Sequence, residues 1–394
     1  MRVLVVPKWY PWPDMPVLGS FCREQARAIS AGHDVVVLAS RAVRSPPFRA
    51  FALSDSVEDG LRTVRVLYRR PRFRPAAMAF QLAGMLSALR RLRREGWRAE
   101  IVHAHVYSAG LPALVLGARS RAPVVLSEHY TGFQRGLITG YDRLTARLAF
   151  GGAALVAPVS EDLASAIRAL APRAPITVVP NVVDTGVFHP RAGASASQAA
   201  ASQTPVRLLT VAALAEKKGH AFLLDALARL RVGRPVTLDL AGDGELRDTL
   251  EARVRDLGLT ESVRFHGVRP REEIAELMRE ADLFVLPSLF ENLPCVLIEA
   301  MASGLPCVAT AVGGVPELIA GPPHAGVLCP PGDAAALAAA LAGALGSLDG
   351  FQREALAEHA RAHFGYAAVG GRWSTIYEEL HAGRRAREGS GERQ

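Results

Sequence analysis

One pattern constrains the fold more than any other feature of the chain. Short apolar runs, each followed by a longer amphipathic segment, recur along the sequence, and the series stops once and starts again. The first series holds RVLVV, DVVVLA, EIVHAH, PVVLSEH and ALVAPVS; the second holds VRLLTVAAL, VTLDLAG, VRFHG, LFVLPS and PCVATAV. Runs this short and this rich in Val, Ile and Leu suit strands buried on both faces, and the 3.6-residue periodicity between them suits covering helices. The expected class is α/β, with two doubly wound, Rossmann-like domains facing across a cleft. Residues 192–204, AGASASQAAASQT, have almost nothing to pack and read as a flexible linker. The expected division is a first domain at 1–190, a linker at 191–205, a second domain at 206–365 and a terminal segment at 366–394.

A length of 394 residues suits two domains, and 49% apolar residues suffice for two cores. No stretch reaches the roughly 18–20 uninterrupted apolar residues of a membrane span; the Ala-rich run at 334–345 is too short. The opening MRVLVVPKWYPWP lacks the apolar region and cleavage site of a secretory signal, so cytoplasmic residence is expected. Cys22, Cys295, Cys307 and Cys329 show no CxxC or Cys/His spacing, which points to ordinary thiols and no zinc.

The net charge of +8 is unevenly spread: residues 1–190 carry 25 Lys/Arg against 13 Asp/Glu, and residues 191–394 carry 21 against 25. Most of the excess lies at 62–98, where eleven arginines accompany the single acid Glu95 and are interleaved with Tyr68, Phe73, Phe80 and Trp97. A basic, aromatic-bearing helix near 81–94 suits peripheral contact with an anionic membrane surface or a phosphorylated acceptor. An Arg-rich solvated face is the alternative. Nucleic acid is not expected, because no binding motif is present.

In doubly wound sheets ligands bind at the carboxyl ends of strands, so the loops after the strands carry the candidate chemistry. Residues 283–310 are the most informative. A strand leads through Pro287 and Ser288 to a loop holding Glu291 and then a helix carrying Glu299, with Asn292 as the expected N-cap and Pro294 in the first turn. The amides of Leu293, Cys295 and Val296 then lie at a positive helix end, suited to a phosphate. Two carboxylates at the cleft suit sugar hydroxyls, each oxygen accepting a charge-assisted hydrogen bond. In VAALAEKKGH, Lys217 and Lys218 beside Gly219 follow a strand and can reach a diphosphate as compact charges; a solvated helix start is the plainer alternative. The glycines of LAGDGELRDTL and VRFHGV permit close backbone approach or simply form turns.

With these residues in view, the chain resembles the family 4 (group 1) retaining glycosyltransferases of the GT-B fold over about residues 2–382, with Glu291 and Glu299 matching the family's Glu-x7-Glu pair. The resemblance implies that Glu299 holds the donor ribose, that Glu291 approaches the donor sugar and that Lys218 meets the diphosphate. Relatives usually place an arginine five residues before the lysine matching Lys218; here that position is Ala213, which leaves Lys217 as the other candidate cation. It further implies that main chain at Val268 and Arg269 meets the nucleobase and that Gly242 lines the site.

The segment PKWYPWPDMPVLGSFCREQARAISAGHDVVVL resembles the opening of a bacterial exopolysaccharide and glycoconjugate subgroup, in which Gly19 sits in an acceptor-side loop. His129 of SEHYTGF matches a family histidine near the donor sugar, the alternative being a histidine satisfied by backbone. His103 and His105 share one side of a strand but no third ligand is placed by spacing, so a structural role is expected. The final helix crosses back to the first domain by resemblance, and the charged tail from 384 is expected to be mobile.

The expected activity is transfer of a sugar from a nucleotide-diphosphate donor to a glycan, lipid-linked or small-molecule acceptor, with retention implied by the family. Lys218, Glu291 and His129 are the catalytic candidates. No Asp-x-Asp pair occurs, so neither a metal nor another cofactor is expected. The alternatives are a sugar-nucleotide epimerase of the same fold and a non-catalytic nucleotide-sugar-binding homologue. A nicotinamide-dependent oxidoreductase is disfavoured because no GxGxxG follows the first strand.

Overall fold

The computed structural model describes residues 1–44, 48–191, 205–230, 232–321 and 323–391. The linker expected within 192–204 lies outside the described residues. The chain forms two compact units, Met1–Val182 with Tyr366–Gln394, and Val183–Gly365. Residues 183–190, expected in the first domain, belong to the second. Val183 donates its amide to the Phe364 carbonyl at 2.8 Å, and Phe188 is buried beneath the Arg271 guanidinium.

The first unit contains β1 (Arg2–Pro7), α1 (Ser20–Ser30), β2 (Asp34–Val43), β3 (Phe51–Glu58), β4 (Leu61–Arg69), α2 (Arg74–Arg94), β5 (Ile101–His105), α3 (Tyr107–Ser120), β6 (Val124–Glu128), α4 (Gly140–Gly152), β7 (Leu155–Pro158) and α5 (Glu161–Leu170). Its sheet runs β3-β4-β2-β1-β5-β6-β7, parallel except for β3 against β4. The order reverses between β1 and β5, so the loops after β1, β5 and β6 open at a topological switch point. The β3–β4 hairpin interrupts the expected alternation. Its turn is Asp59 and Gly60, with φ +49° and +79°, the left-handed pair that a two-residue Asp-Gly hairpin needs.

That hairpin also revises the charge picture. Arg62 pairs with Asp55 at 2.7 Å and Glu95 at 2.6 Å, Arg65 with Glu58 at 2.5 Å, and Arg91 with Asp55 and Glu95. Asp55 and Glu58 lie on β3, just ahead of the arginine-rich segment, and reach it only because the hairpin folds back. Trp97 is buried and donates its indole N–H to Asp34 at 2.8 Å, so it belongs to the core.

The second unit contains β8 (Val206–Val211), α6 (His220–Arg229), β9 (Val236–Ala241), α7 (Arg247–Asp256), β10 (Val263–Gly267), α8 (Arg271–Glu280), β11 (Leu283–Leu286), α9 (Cys295–Ala302), β12 (Cys307–Thr310), α10 (Val315–Ile319), β13 (Gly326–Cys329), α11 (Ala334–Gly346) and α12 (Arg353–Phe364). Its six strands are all parallel, in the order β10-β9-β8-β11-β12-β13, the Rossmann arrangement with its switch point between β8 and β11. The core packs Leu208, Leu238, Leu283 and Val285 of the sheet against Leu223, Leu227 and Leu341 of the helices.

The last helix, α13 (Tyr366–Gly391), packs on α1 within the first unit and continues into the charged segment after 384. Gly370 permits the contact, since a Cβ there would stand 2.5 Å from the Ala28 carbonyl oxygen. Trp373 and Tyr377 are completely buried.

Candidate active site

The second unit's switch point is built from loops held together by their backbones. Between β8 and α6 the chain makes one 3-10 turn, Glu216–Lys218, and reverses at Gly219 with φ +67°. A Cβ on Gly219 would lie 2.0 Å from the Pro287 carbonyl oxygen, so only glycine lets this loop touch the loop after β11. Beside it the Leu289 amide donates to the Lys217 carbonyl at 2.8 Å. On the other side a Cβ on Gly313 would stand 2.1 Å from the Glu291 carbonyl oxygen, and the Gly314 amide donates to the Asn292 carbonyl at 2.7 Å. The Glu291 loop is thus clamped between the loops after β8 and β12.

Within that clamp the Lys218 ammonium meets Glu291 Oε1 at 2.5 Å, and the Ser288 hydroxyl donates to the same oxygen at 2.7 Å. Thr310 donates to the Ser288 carbonyl at 2.5 Å, fixing the turn. Glu291 is 9% exposed. Two of the three catalytic candidates are therefore direct partners at the sheet's switch point. Such a pair is charge-balanced until another anion competes for the ammonium.

The other donor-side candidates lie at neighbouring strand ends and in α9. Gly242 has no room for a side chain, because a Cβ would lie 1.9 Å from the Ala212 carbonyl oxygen, and its amide donates to Gly267 at 2.8 Å. Val268 is 59% exposed, and Arg269 next to it bonds the His266 carbonyl and Glu273. Glu299 lies in α9 with Arg271 at 3.6 Å. The helix begins two residues later than expected: Pro294, not Asn292, occupies the N-cap position, and the Asn292 carbonyl is spent on the clamp with Gly314. Leu293 is buried and Cys295 half-buried beside Val296 at that helix start. Lys217 is exposed. Ala213 is exposed too, and its carbonyl accepts from His220 Nε2 at 3.1 Å.

The first unit holds its strand ends differently. His129, just past β6, joins a file of three stacked rings with His105 and His103, at centroid separations of 5.4 and 4.4 Å. His105 Nδ1 lies 3.1 Å from His129 Nε2. His103 is capped by Tyr377 at 2.6 Å and Ser127 at 2.8 Å, the structural role expected of it. Burial pushes His103 and His129 down to about 3 and His105 well below its ordinary value, so all three rings are neutral. Among the described residues no three His, Cys, Asp or Glu side chains cluster so as to hold a metal ion.

Glu128 underlies His129 and was not singled out in the sequence. Completely buried, it accepts the amides of Tyr107, His129 and Tyr130, each at 2.8 Å. Burial nevertheless raises it to about 7. It ties the end of β6 to the start of α3 across Val106, whose φ of +72° is strained for a β-branched residue. The only sequence signal was an acid closing a short, mostly apolar strand. Gly19 also takes a structural explanation: its φ is +71°, and a Cβ would sit 2.3 Å from the Trp9 carbonyl. Backbone, not open space for an acceptor, fills the place of the missing side chain.

Comparison with known proteins bears on this architecture. Residues 17–187 match the family described as Glycosyltransferase Family 4, and residues 205–347 match Glycosyl transferases group 1. The glycogen synthase of Mycobacterium tuberculosis is 30% identical over 98% of this chain and 96% of its own. The chain belongs to the family 4 glycosyltransferases. The glycosyltransferase is also 42% identical, over 35% of each chain, to the amylovoran biosynthesis glycosyltransferase AmsK of Erwinia amylovora. Among solved structures, Anabaena HepE in complex with UDP-glucose superposes with a TM-score of 0.71 over 96% of this chain and all of its own at 20% identity, which shows the GT-B fold. These relatives support glycosyl transfer over the epimerase and the non-catalytic homologue.

Proposed function

We propose that this glycosyltransferase binds a nucleotide-diphosphate sugar at the strand ends of its second unit and passes the sugar, with retained configuration, to an acceptor received by its first unit. The observation that carries the proposal is the Lys218–Glu291 pair held between the loops after β8 and β11. There, the donor diphosphate competes for the Lys218 ammonium, Glu291 turns to the sugar hydroxyls and Glu299 accepts from the ribose. The start of α9 adds amides at a positive helix end. As transfer proceeds the bond from the anomeric carbon to phosphate oxygen breaks, the acceptor oxygen takes its place, and the departing diphosphate takes the acceptor's proton. Lys218 neutralises the charge that develops, without a metal ion. His129, neutral and braced by Glu128, orients a bound sugar through a ring N–H or lone pair. A sugar donor and a glycan acceptor fit relatives such as glycogen synthase and the likeness to HepE in complex with UDP-glucose. The cellular setting proposed is the cytoplasm, with peripheral contact at the anionic inner membrane face. Its cationic part comes from Arg90, Arg94 and Arg98, which are exposed and have no ion-pair partner among the described residues.

A panel of nucleotide sugars screened by thermal stabilisation identifies the donor, since a ligand at a hundred times its dissociation constant adds about 2.7 kcal/mol. Glu299→Ala is expected to weaken nucleotide binding about tenfold or more, while Glu291→Ala and Lys218→Met mainly slow turnover, by about a hundredfold. Parent-like binding and turnover in all three variants would refute the site. Activity abolished by a chelator and restored by a divalent cation would overturn the metal-free part alone.

A further inference from the structure

The first unit presents a surface that the glycosyl-transfer chemistry leaves unused. Helices α2, α3 and α4 follow β4, β5 and β6 in right-handed crossovers and lie side by side in contact on one face of the sheet. The Tyr141 hydroxyl reaches Met78 Sδ at 4.0 Å, tying the start of α4 to α2. These three helices contain eight arginines and one acid, Asp142.

The outermost helix also exposes apolar side chains. Of the eleven large hydrophobic residues exposed among the described residues, four lie within 137–148: Leu137 at 49%, Tyr141 at 54%, Leu144 at 56% and Leu148 at 53%. At 100° per residue, Tyr141, Leu144 and Leu148 share one narrow stripe, and the exposed Arg143 and Arg147 lie together along one side of it. The opposite side of α4, with Ala146, Ala149 and Phe150, is completely buried, so the helix already has its core contact. Isolated exposed leucines are ordinary; a stripe of them beside arginines is not. Beside it Phe133, Ile138, Thr139 and Arg143 line a hollow of about 300 Å³.

We infer that the outer surface of α2, α3 and α4 docks on an anionic lipid bilayer, with the Leu137, Tyr141, Leu144 and Leu148 stripe entering the headgroup region. The inference rests on the peripheral contact proposed above and adds to its cations an apolar anchor. Charge complementarity selects the occupant: the exposed Arg90, Arg93, Arg94, Arg119, Arg143 and Arg147, against the single helix acid Asp142, suit a continuous anionic surface. Two signals, cationic and apolar, are what stable peripheral anchoring requires.

The test is co-sedimentation of the full chain with vesicles of phosphatidylcholine alone and of phosphatidylcholine mixed with phosphatidylglycerol. The parent is expected to bind the mixed vesicles only. Leu144→Glu with Leu148→Glu should lower partitioning about a hundredfold, and Arg143→Gln with Arg147→Gln about tenfold. A parent-like thermal transition, and parent-like stabilisation by a nucleotide sugar, show that the variants are folded and separate failure of docking from failure of the donor site. Absence of binding by the parent overturns the inference, as does undiminished binding by the leucine variant. Loss of binding only in Arg90→Gln with Arg94→Gln would leave a cationic contact and remove the α4 anchor. A parent dimer that the leucine variant abolishes, without vesicle binding, would assign the face to a second copy and equally overturn it.

Discussion

The two units place functional candidates at corresponding strand ends and secure them by opposite means. In the second unit the loops after β8, β9, β11 and β12 touch backbone to backbone, at contacts where Gly219, Gly242 and Gly313 have no room for a methyl group. One ion pair, Lys218 with Glu291, sits in the resulting clamp. In the first unit the ends of β5 and β6 are secured by buried titratable side chains: three neutral histidine rings in file and the Glu128 carboxyl receiving three amides. A steric scaffold is sensitive to added atoms and indifferent to protons; a desolvated polar one is the reverse.

The largest effect should come from a methyl group in the second unit. Gly219→Ala places a Cβ 2.0 Å from the Pro287 oxygen at φ +67° and is expected to cost about 3 kcal/mol or more, since neither backbone can yield alone. Gly258 has nearly the same φ, +68°, with nothing within 4 Å of its would-be Cβ, so Gly258→Ala should cost only about 1 kcal/mol. Denaturant unfolding of both variants measures the difference. Equal losses would mean that φ alone is responsible and that the clamp is not steric.

Acid should act first on the other unit. The three rings have folded pKa values below the ordinary 6.5, so the unfolded chain binds more protons and stability falls as pH drops through about 6.5 toward 3. Glu128 works in the opposite sense: raised from 4.5 to about 7, it holds its proton in the folded state across that window and favours the fold as pH falls. Three histidines outnumber one carboxyl, so the net loss between pH 6.5 and 4.5 should be on the order of a few kcal/mol. Thermal unfolding followed at Trp373, buried against His103, should show the decline, while Lys218→Met leaves its size unchanged. A pH-independent transition in this range would contradict the neutral stack.

The contrast also explains what was legible in the sequence. The parallel sheets were, because β8 through β12 are short runs dominated by apolar residues with a helical period between them, and local patterning alone marks them. The glycine-bearing strand ends were legible as places of close approach, although not which backbone each would meet. What escaped depends on contacts distant in sequence or on burial. The β3–β4 hairpin, signalled only by Asp59-Gly60, brought Asp55 and Glu58 to arginines that seemed unpaired. Glu128, the last residue of β6, escaped because its three amide partners come together only on folding. Asn292 had the composition of an N-cap, yet its carbonyl is taken by Gly314, and Pro294 caps the helix that starts at Cys295 instead. Tertiary contacts overrode local propensity at these points.

The smallest expected effect bears on whether the steric scaffold is short of a cation. Lys218 is already balanced by Glu291, and position 213, where relatives of this family usually carry arginine, holds an exposed alanine whose carbonyl anchors His220. Because that anchor is a backbone group, Ala213→Arg leaves it in place and adds a side chain on the solvent side of the same loop. A guanidinium near a diphosphate in a partly exposed site is worth about 1 kcal/mol, so the donor dissociation constant should fall about fivefold. The gain should shrink as ionic strength rises, because an exposed charge is screened where the Lys218–Glu291 pair is sheltered. Calorimetric titration with the stabilising nucleotide sugar at low and high salt separates the cases. An unchanged constant at both would place the diphosphate out of reach of residue 213, and would leave Lys218 and the α9 terminus to hold it without help from that loop.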